Sequence, residues 1–258
     1  MNSESRSSQK IKIVTCQDAD EASERVARKV ISLIRERNEA SRPTVLGLAT
    51  GSTPILLYKK LIQAHREEGL SFKNVITFNL DEYLGLDKSH PKSYWHFMHS
   101  QLFNHIDIDP ENIHIPDGNV PEDSVSEYCK DYEACIETAG GLDIQIVGIG
   151  RTGHIGFNEP GSTVDSITRM VTLDPLTRKD AAHSFGGEAA VPTHAITMGV
   201  STILKSRSIY LLAWGAAKAE IVAKTLKVDP TDMLPASFLQ QHEATTFFVD
   251  HAAASALN

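Results

Sequence analysis

The sequence predicts an α/β fold built on a largely parallel sheet covered by helices on both faces. Two observations carry this prediction. Short apolar runs alternate with longer stretches of helical period, and glycine- or hydroxyl-rich loops recur just past the apolar runs. An open sheet of this kind collects its ligands beyond the carboxyl ends of its strands, so those loops are where function is sought. A chain of 258 residues, 41% hydrophobic and 22% charged, has an ordinary globular composition and is long enough to bury a large core.

The elements follow in order. Residues 1–10, MNSESRSSQK, are polar and lack the apolar stretch of a signal peptide, so they read as a short tail. A first strand is expected near 12–14. A helix should start at Asp18, where Glu21 completes a capping-box-like pair, with Val26, Val30, Leu33 and Ile34 on one face. After a strand near 44–48, Pro54 is preorganised for the first turn of a second helix through Tyr58 and Leu61. A strand near 75–79 comes next, and Ser93 should cap a third helix containing Trp95 and Phe97. A fourth helix should cover 125–137 and stop at Gly140 and Gly141. Further strands are expected near 143–148, 195–198, 209–213 and 245–249. The stretch 181–190 is rich in glycine and alanine, lies between Pro175 and Pro192, and lacks a sustained apolar period; it is the candidate mobile segment. No repeat or linker interrupts the chain, which reads as a single domain over 1–258 with a lid candidate at about 164–192.

Several function classes are excluded. The net charge of -8 comes without the basic patch that nucleic-acid binding requires. An acidic chain repels anions at long range, so a phosphate site must be built locally from amides and a few cations. Cys16, Cys129 and Cys135 form no CxxC pair, which fits a reducing, cytoplasmic setting and argues against disulfides or zinc; Cys129 and Cys135 read as packing residues of the fourth helix. No apolar run approaches the ~20 residues of a membrane-spanning helix. His90, His96, His99, His105 and His114 show no metal-ligand spacing, and neither a Walker loop nor GxGxxG is present. No metal and no cofactor is expected. Oligomeric state is not legible, and a homo-oligomer stays open.

Four loops then hold the chemistry: 49–54, 80–87, 149–161 and 214–218. In the first, Thr50, Gly51, Ser52 and Thr53 lead into a helix, and their hydroxyls and amides can hold an anion; an ordinary capped turn would read the same way. The second puts Asp81 and Glu82 just past a strand, where one can point into a cleft as a base while the alternative is a capping acid beside a solvated one. The third carries five glycines in fourteen residues, GIGRTGHIGFNEPG, around His154 and Glu159; such backbone freedom suits close approach to a ligand, and His154 can exchange protons near neutral pH. In the fourth, Lys218 opens a helix and can reach a phosphate, or be a solvated lysine.

Together these segments resemble the glucosamine-6-phosphate deaminase/isomerase family. The matches are LATGSTP at 48–54, FNLDEYLGL at 78–86, SYWHFMH at 93–99, GHIGFNEPGS at 153–162, TMGVSTIL at 197–204 and GAAKAEIV at 215–222. The resemblance implies a three-layer αβα sandwich with a Rossmann-like, mostly parallel sheet. It also implies a small-molecule amino-sugar phosphate as partner, with D-glucosamine 6-phosphate and water converted to D-fructose 6-phosphate and ammonia. By resemblance, Asp81 moves the C2 proton during aldose–ketose isomerisation and His154 shuttles the proton that opens the pyranose ring, assisted by Glu159. Thr50, Gly51, Ser52, Thr53 and Lys218 hold the phosphate.

This chain departs from the family at four places. Thr152 stands where the family often has aspartate, sometimes asparagine, and a threonine cannot give His154 a carboxylate partner. His183 stands where many members have arginine, with Arg178 as the substitute if the segment closes over the site. Val171 aligns with a lysine of an allosteric site, and the chain ends at Asn258, short of a longer tail, so allosteric activation is expected to be absent or altered. A 6-phosphogluconolactonase-like hydrolase and a non-catalytic sugar-phosphate sensor are the alternative readings; Asn158-Glu159-Pro160 disfavours the first.

Overall fold

The computed structural model describes residues 11–257, so the predicted tail at 1–10 lies outside the described residues. In chain order the elements are β1 (Lys12–Cys16), α1 (Ala19–Glu39), β2 (Thr44–Leu48), α2 (Ile55–Glu68), β3 (Val75–Asn79), β4 (Asp81–Tyr83), α3 (Tyr94–Gln101), β5 (Ile113–His114) and α4 (Val125–Thr138). They continue as β6 (Ile144–Gly148), β7 (Arg169–Thr172), α5 (Pro175–Phe185), β8 (His194–Thr197), α6 (Val200–Leu204), β9 (Ser208–Ala213), α7 (Ala219–Lys227) and β10 (Thr245–Asp250).

Seven strands pair in the order β1-β10-β9-β6-β2-β3-β5, all parallel. Every residue of β2 is buried, whichever way its side chain points, because helices cover both faces of the sheet. The capping chemistry is as expected. Asp18 accepts the Glu21 N–H at 2.9 Å, Glu21 accepts the Gln17 N–H at 2.7 Å, and Ser93 accepts the His96 N–H at 3.0 Å. Along α1, Val26, Val30 and Ile34 are fully buried, matching the predicted face. Buried Asp143 ties the start of β6 to β2, accepting from the Val45 N–H at 2.9 Å and from the guanidinium groups of Arg37 at 2.8 Å and Arg207 at 3.1 Å.

A second sheet, which the sequence does not announce, runs β4-β8-β7 and is antiparallel. It corrects two expectations. The strand near 195–198 belongs to this sheet rather than the parallel one, because an apolar run shows that a strand is buried without showing its partner. The loop 80–87 contains β4, whose Asp-Glu-Tyr sequence has no apolar run to mark it. The stretch 181–190 resolves into the end of α5 followed by a short 3-10 turn. Helix α5 has an N-cap in Asp174 and stops at Gly186, but none of its residues is fully buried, so its apolar period is too weak to register.

The two sheets meet at Leu80. Its N–H donates to Leu48 of β2 at 3.0 Å and its carbonyl accepts from Met198 at 2.6 Å, so the chain leaves the large sheet and enters the small one at Asp81. Beside this seam, β2 leads on to β3 and β5, whereas β6 leads to β9 and β10 on its other side. The connections after β2 and β6 therefore part in opposite directions and leave a crevice at the carboxyl ends of these neighbouring strands.

Candidate active site at the strand switch point

That crevice is a cleft of about 260 Å³. It is lined by Thr50, Gly51, Ser52, Thr53, Asp81, His154 and Lys218, with Tyr94, Gly150 and Phe157 among the rest. Seven of the sequence-predicted site residues thus share one cavity. Residues 50–53 run into the amino end of α2, which leaves backbone N–H groups for an anion. Lys218 stands opposite on the loop after β9, its Nζ donating to the Ile149 carbonyl at 2.7 Å. Burial lowers its pKa, a tendency that Asp180 opposes and Arg151 reinforces. The Lys218 loop is itself held: the Gly215 N–H donates to both carboxylate oxygens of Asp250 at 3.0 Å, and Trp214 Nε1 donates to the Thr53 carbonyl at 3.1 Å.

Asp81 is 6% exposed, and burial, followed by the neighbouring Glu82 carboxylate, pushes its pKa up to about 8. Successive residues of a strand point to opposite sides, so Glu82 faces away from the cleft. It caps α3 instead, accepting N–H bonds from Tyr94 at 3.0 Å, Trp95 at 2.9 Å and its own neighbour Tyr83 at 2.9 Å. Burial raises Glu82 to about 7 against the pull of those three donors. Both readings of the acid pair therefore apply, one to each residue. Gly156 reaches Asp81 with φ +57, and a Cβ there would lie 3.3 Å from Asp81 Oδ2; only glycine allows that approach without strain.

His154 lies over Gly150 so closely that a Cβ on Gly150 would sit 2.0 Å from the ring. Behind the ring stands a network that begins with the Thr152 hydroxyl, 2.8 Å from His154 Nδ1 and donating to Glu159 Oε2 at 3.1 Å. Glu159 Oε2 is also 3.1 Å from His154 Nδ1. A hydroxyl has one hydrogen, and Thr152 gives it to the carboxylate, so Nδ1 must carry the hydrogen on the imidazole side. That assignment leaves Nε2 as the basic nitrogen. The other carboxylate oxygen accepts a hydrogen bond from the Thr177 hydroxyl of α5. Burial would raise the Glu159 pKa, but the bonds from His154, Thr177 and Thr152 outweigh it and hold the group below its usual range. Thr152 thus stands between the two groups, and the carboxylate beside His154 is Glu159 itself.

Arg178 and His183 are not brought to the cleft. The Arg178 guanidinium is occupied by the carbonyls of Glu188 at 3.0 Å and Val191 at 3.2 Å, and His183 is exposed on α5. Sequence reasoning missed Thr177, whose partner Glu159 is 18 residues away, and no local signal marks it. It also missed Tyr94, half-buried beside Asp81 and nearly parallel to the Phe157 ring at 6.0 Å; its position directly after the Ser93 cap was the available clue. Among the described residues, no group of three or more His, Cys, Asp or Glu side chains is placed to hold a metal ion.

Comparison with known proteins bears on the family and the fold. The profile of the family described as glucosamine-6-phosphate isomerases/6-phosphogluconolactonase matches residues 17–248. The chain is 48% identical over 236 residues to glucosamine-6-phosphate deaminase 2 of Bacillus subtilis (strain 168), covering 91% of this chain and 94% of the relative. A solved structure of a monomeric glucosamine-6-phosphate deaminase superposes with a TM-score of 0.90 at 43% identity, covering 95% of this chain and 100% of the other. The 6-phosphogluconolactonase from Trypanosoma cruzi superposes at 0.77 but is 20% identical, over 99% and 100% of the two chains, and shows the shared fold alone.

Proposed function

We propose a reaction from one premise, that this chain belongs to the glucosamine-6-phosphate isomerase/6-phosphogluconolactonase family. It is a glucosamine-6-phosphate deaminase, an enzyme of amino-sugar metabolism that converts D-glucosamine 6-phosphate and water to D-fructose 6-phosphate and ammonia. The observation that supports the reading most is that Asp81, His154, Lys218 and the 50–53 turn line one cleft.

Residues 50–53 and Lys218 bind the phosphate, and this remote binding places the sugar carbons against Asp81. His154 Nε2 passes a proton between the anomeric hydroxyl and the ring oxygen, opening the pyranose to the aldehyde. Glu159 and Thr152 hold the imidazole in the required tautomer and balance its charge. Asp81 then removes the C2 proton to give an enolamine, and protonation at C1 gives the imine at C2. Water adds to that imine and ammonia departs, leaving the ketone. Asp81 acts as a base only when ionised, so kcat/KM rises with pH through about 8.

All of these groups come from one copy of the chain, so the site needs no residue from a second copy; sedimentation would read the oligomeric state. Among the described residues no helix is long and apolar enough to cross a membrane. The three cysteines are free, which supports a cytoplasmic location. The deciding experiment follows ammonia and fructose 6-phosphate formed from glucosamine 6-phosphate, with Asp81→Asn as control. Turnover lost in the control is the expected result. Equal turnover in both proteins would overturn Asp81 as the base, and no turnover in the wild type would overturn the reaction.

A further inference from the structure

Among the described residues Lys218 is the only lysine or arginine lining the cleft, and burial weakens its hold on a proton. A sugar phosphate carries about 1.5 to 2 negative charges near neutral pH. One half-buried ammonium in a chain of net charge -8 leaves most of that charge without a cation. Arg178 is committed to backbone carbonyls, and His183 is exposed.

A further cation close enough to act on Lys218 is Arg151. It directly follows Gly150, which lines the cleft, and stands two residues from Ile149, whose carbonyl holds the Lys218 ammonium. In this structure the Arg151 guanidinium pairs with Asp180 on α5, Nη1 to Oδ1 2.8 Å, with side chains 61% and 44% exposed. An ion pair that open to solvent is weak and readily exchanged. Arginine also presents a planar fork of donors that matches a phosphate, which Asp180 engages through a single contact.

We infer that Arg151 is the second cation of the phosphate site, a substrate-binding residue that selects for the phosphorylated sugar, and that Asp180 competes with the phosphate for its guanidinium. The inference rests on the deaminase reading for the identity of the substrate and on the geometry for the anion. It separates two elements already joined elsewhere: Thr177 and Asp180 lie three apart on one face of α5, so Thr177 engages Glu159 while Asp180 engages Arg151. The first contact serves the proton relay and the second serves binding.

The test compares wild type, Arg151→Ala, Arg151→Lys and Asp180→Asn by two readouts. The first is steady-state turnover of glucosamine 6-phosphate. The second is the dissociation constant of inorganic phosphate, measured calorimetrically without any turnover. Loss of a binding contact made equally in ground and transition states raises KM and leaves kcat in place. Arg151→Ala should raise both KM and the phosphate dissociation constant roughly tenfold or more, as expected for losing a charge-assisted contact. Arg151→Lys should recover part of this, and Asp180→Asn should tighten phosphate by up to about fivefold, as expected for freeing a surface ion pair. The same phosphate affinity in wild type and Arg151→Ala, immeasurable in both included, overturns the inference, and so does Asp180→Asn weakening phosphate as Arg151→Ala does. Absence of ammonia release from the wild type would refute the reaction alone, because the phosphate titration reads Arg151 independently of it.

Discussion

Replacing Asp81 with asparagine keeps the size of the side chain and removes its ionisation, so it separates the cost of the carboxyl group from its use. Unfolded, the group titrates near its ordinary 3.8; folded, it titrates at about 8. Between these values the native protein binds a proton that the unfolded chain has released, so the wild type loses stability as pH rises from about 4 to 8. The full gap is worth about 5–6 kcal/mol, and about 4 kcal/mol has accumulated by pH 7. Relaxation around a buried charge commonly recovers part of such a penalty, so we take about 2–4 kcal/mol as the gain for Asp81→Asn at pH 7. In a chain of this size that raises Tm by roughly 4–16 °C. The assay is thermal unfolding of both proteins at pH 5, 7 and 8.5, alongside ammonia release. The variant should be inactive, more stable than wild type at pH 7 and 8.5, and closer to it at pH 5. A variant no more stable at pH 7, or a gain that does not shrink toward pH 5, would refute the claim that burial governs this carboxyl.

The relay behind His154 gives a second prediction. Thr152→Val removes the hydroxyl between His154 and Glu159, and at about 1.5–3 kcal/mol for a bond to a charged group kcat should fall roughly 10- to 150-fold. Thr152→Ser should recover most of the loss, and equal kcat in the valine and serine variants would show that the hydroxyl is idle. Gly150→Ala would drive a methyl into the imidazole, 2.0 Å away, so kcat should drop while the affinity for inorganic phosphate changes little. A fall in phosphate affinity as large as the fall in kcat would contradict that division. Asp143→Ala strands the half-buried Arg37 guanidinium and the Val45 N–H, and urea unfolding should report a loss of about 3–5 kcal/mol; a loss below 1 kcal/mol would mean that the Arg37–Asp143–Val45 junction is dispensable.

Much of the site was legible because its chemistry is contiguous in the chain. The turn 50–53 and the loop from Ile149 to Gly161 each carry their residue types within a few positions, and β2 and β6 are apolar runs that locate both loops. What escaped depends on partners distant in sequence. Nothing near Glu159 announces Thr177, and the Asp-Glu-Tyr strand β4 is a strand only because β8 lies beside it. Thr152 illustrates a different limit. Its residue type argued against a role in proton transfer, and only the positions of its two neighbours reveal a hydroxyl that accepts from one and donates to the other.

Leu80 connects the large sheet to the small one through its two backbone bonds, and Asp81 is the next residue. Asp81, the proposed base, therefore belongs mechanically to the smaller assembly of β4, β8 and β7, while the turn at 50–53 and Lys218 are fixed by the larger one. A ligand in the cleft would touch both bodies, which Leu80 joins directly through its two backbone bonds. Warming should loosen the three-stranded body first, since α5, which packs on it, has no fully buried residue. Activity should then fade at temperatures where the seven-stranded body is still intact, with phosphate affinity outlasting turnover.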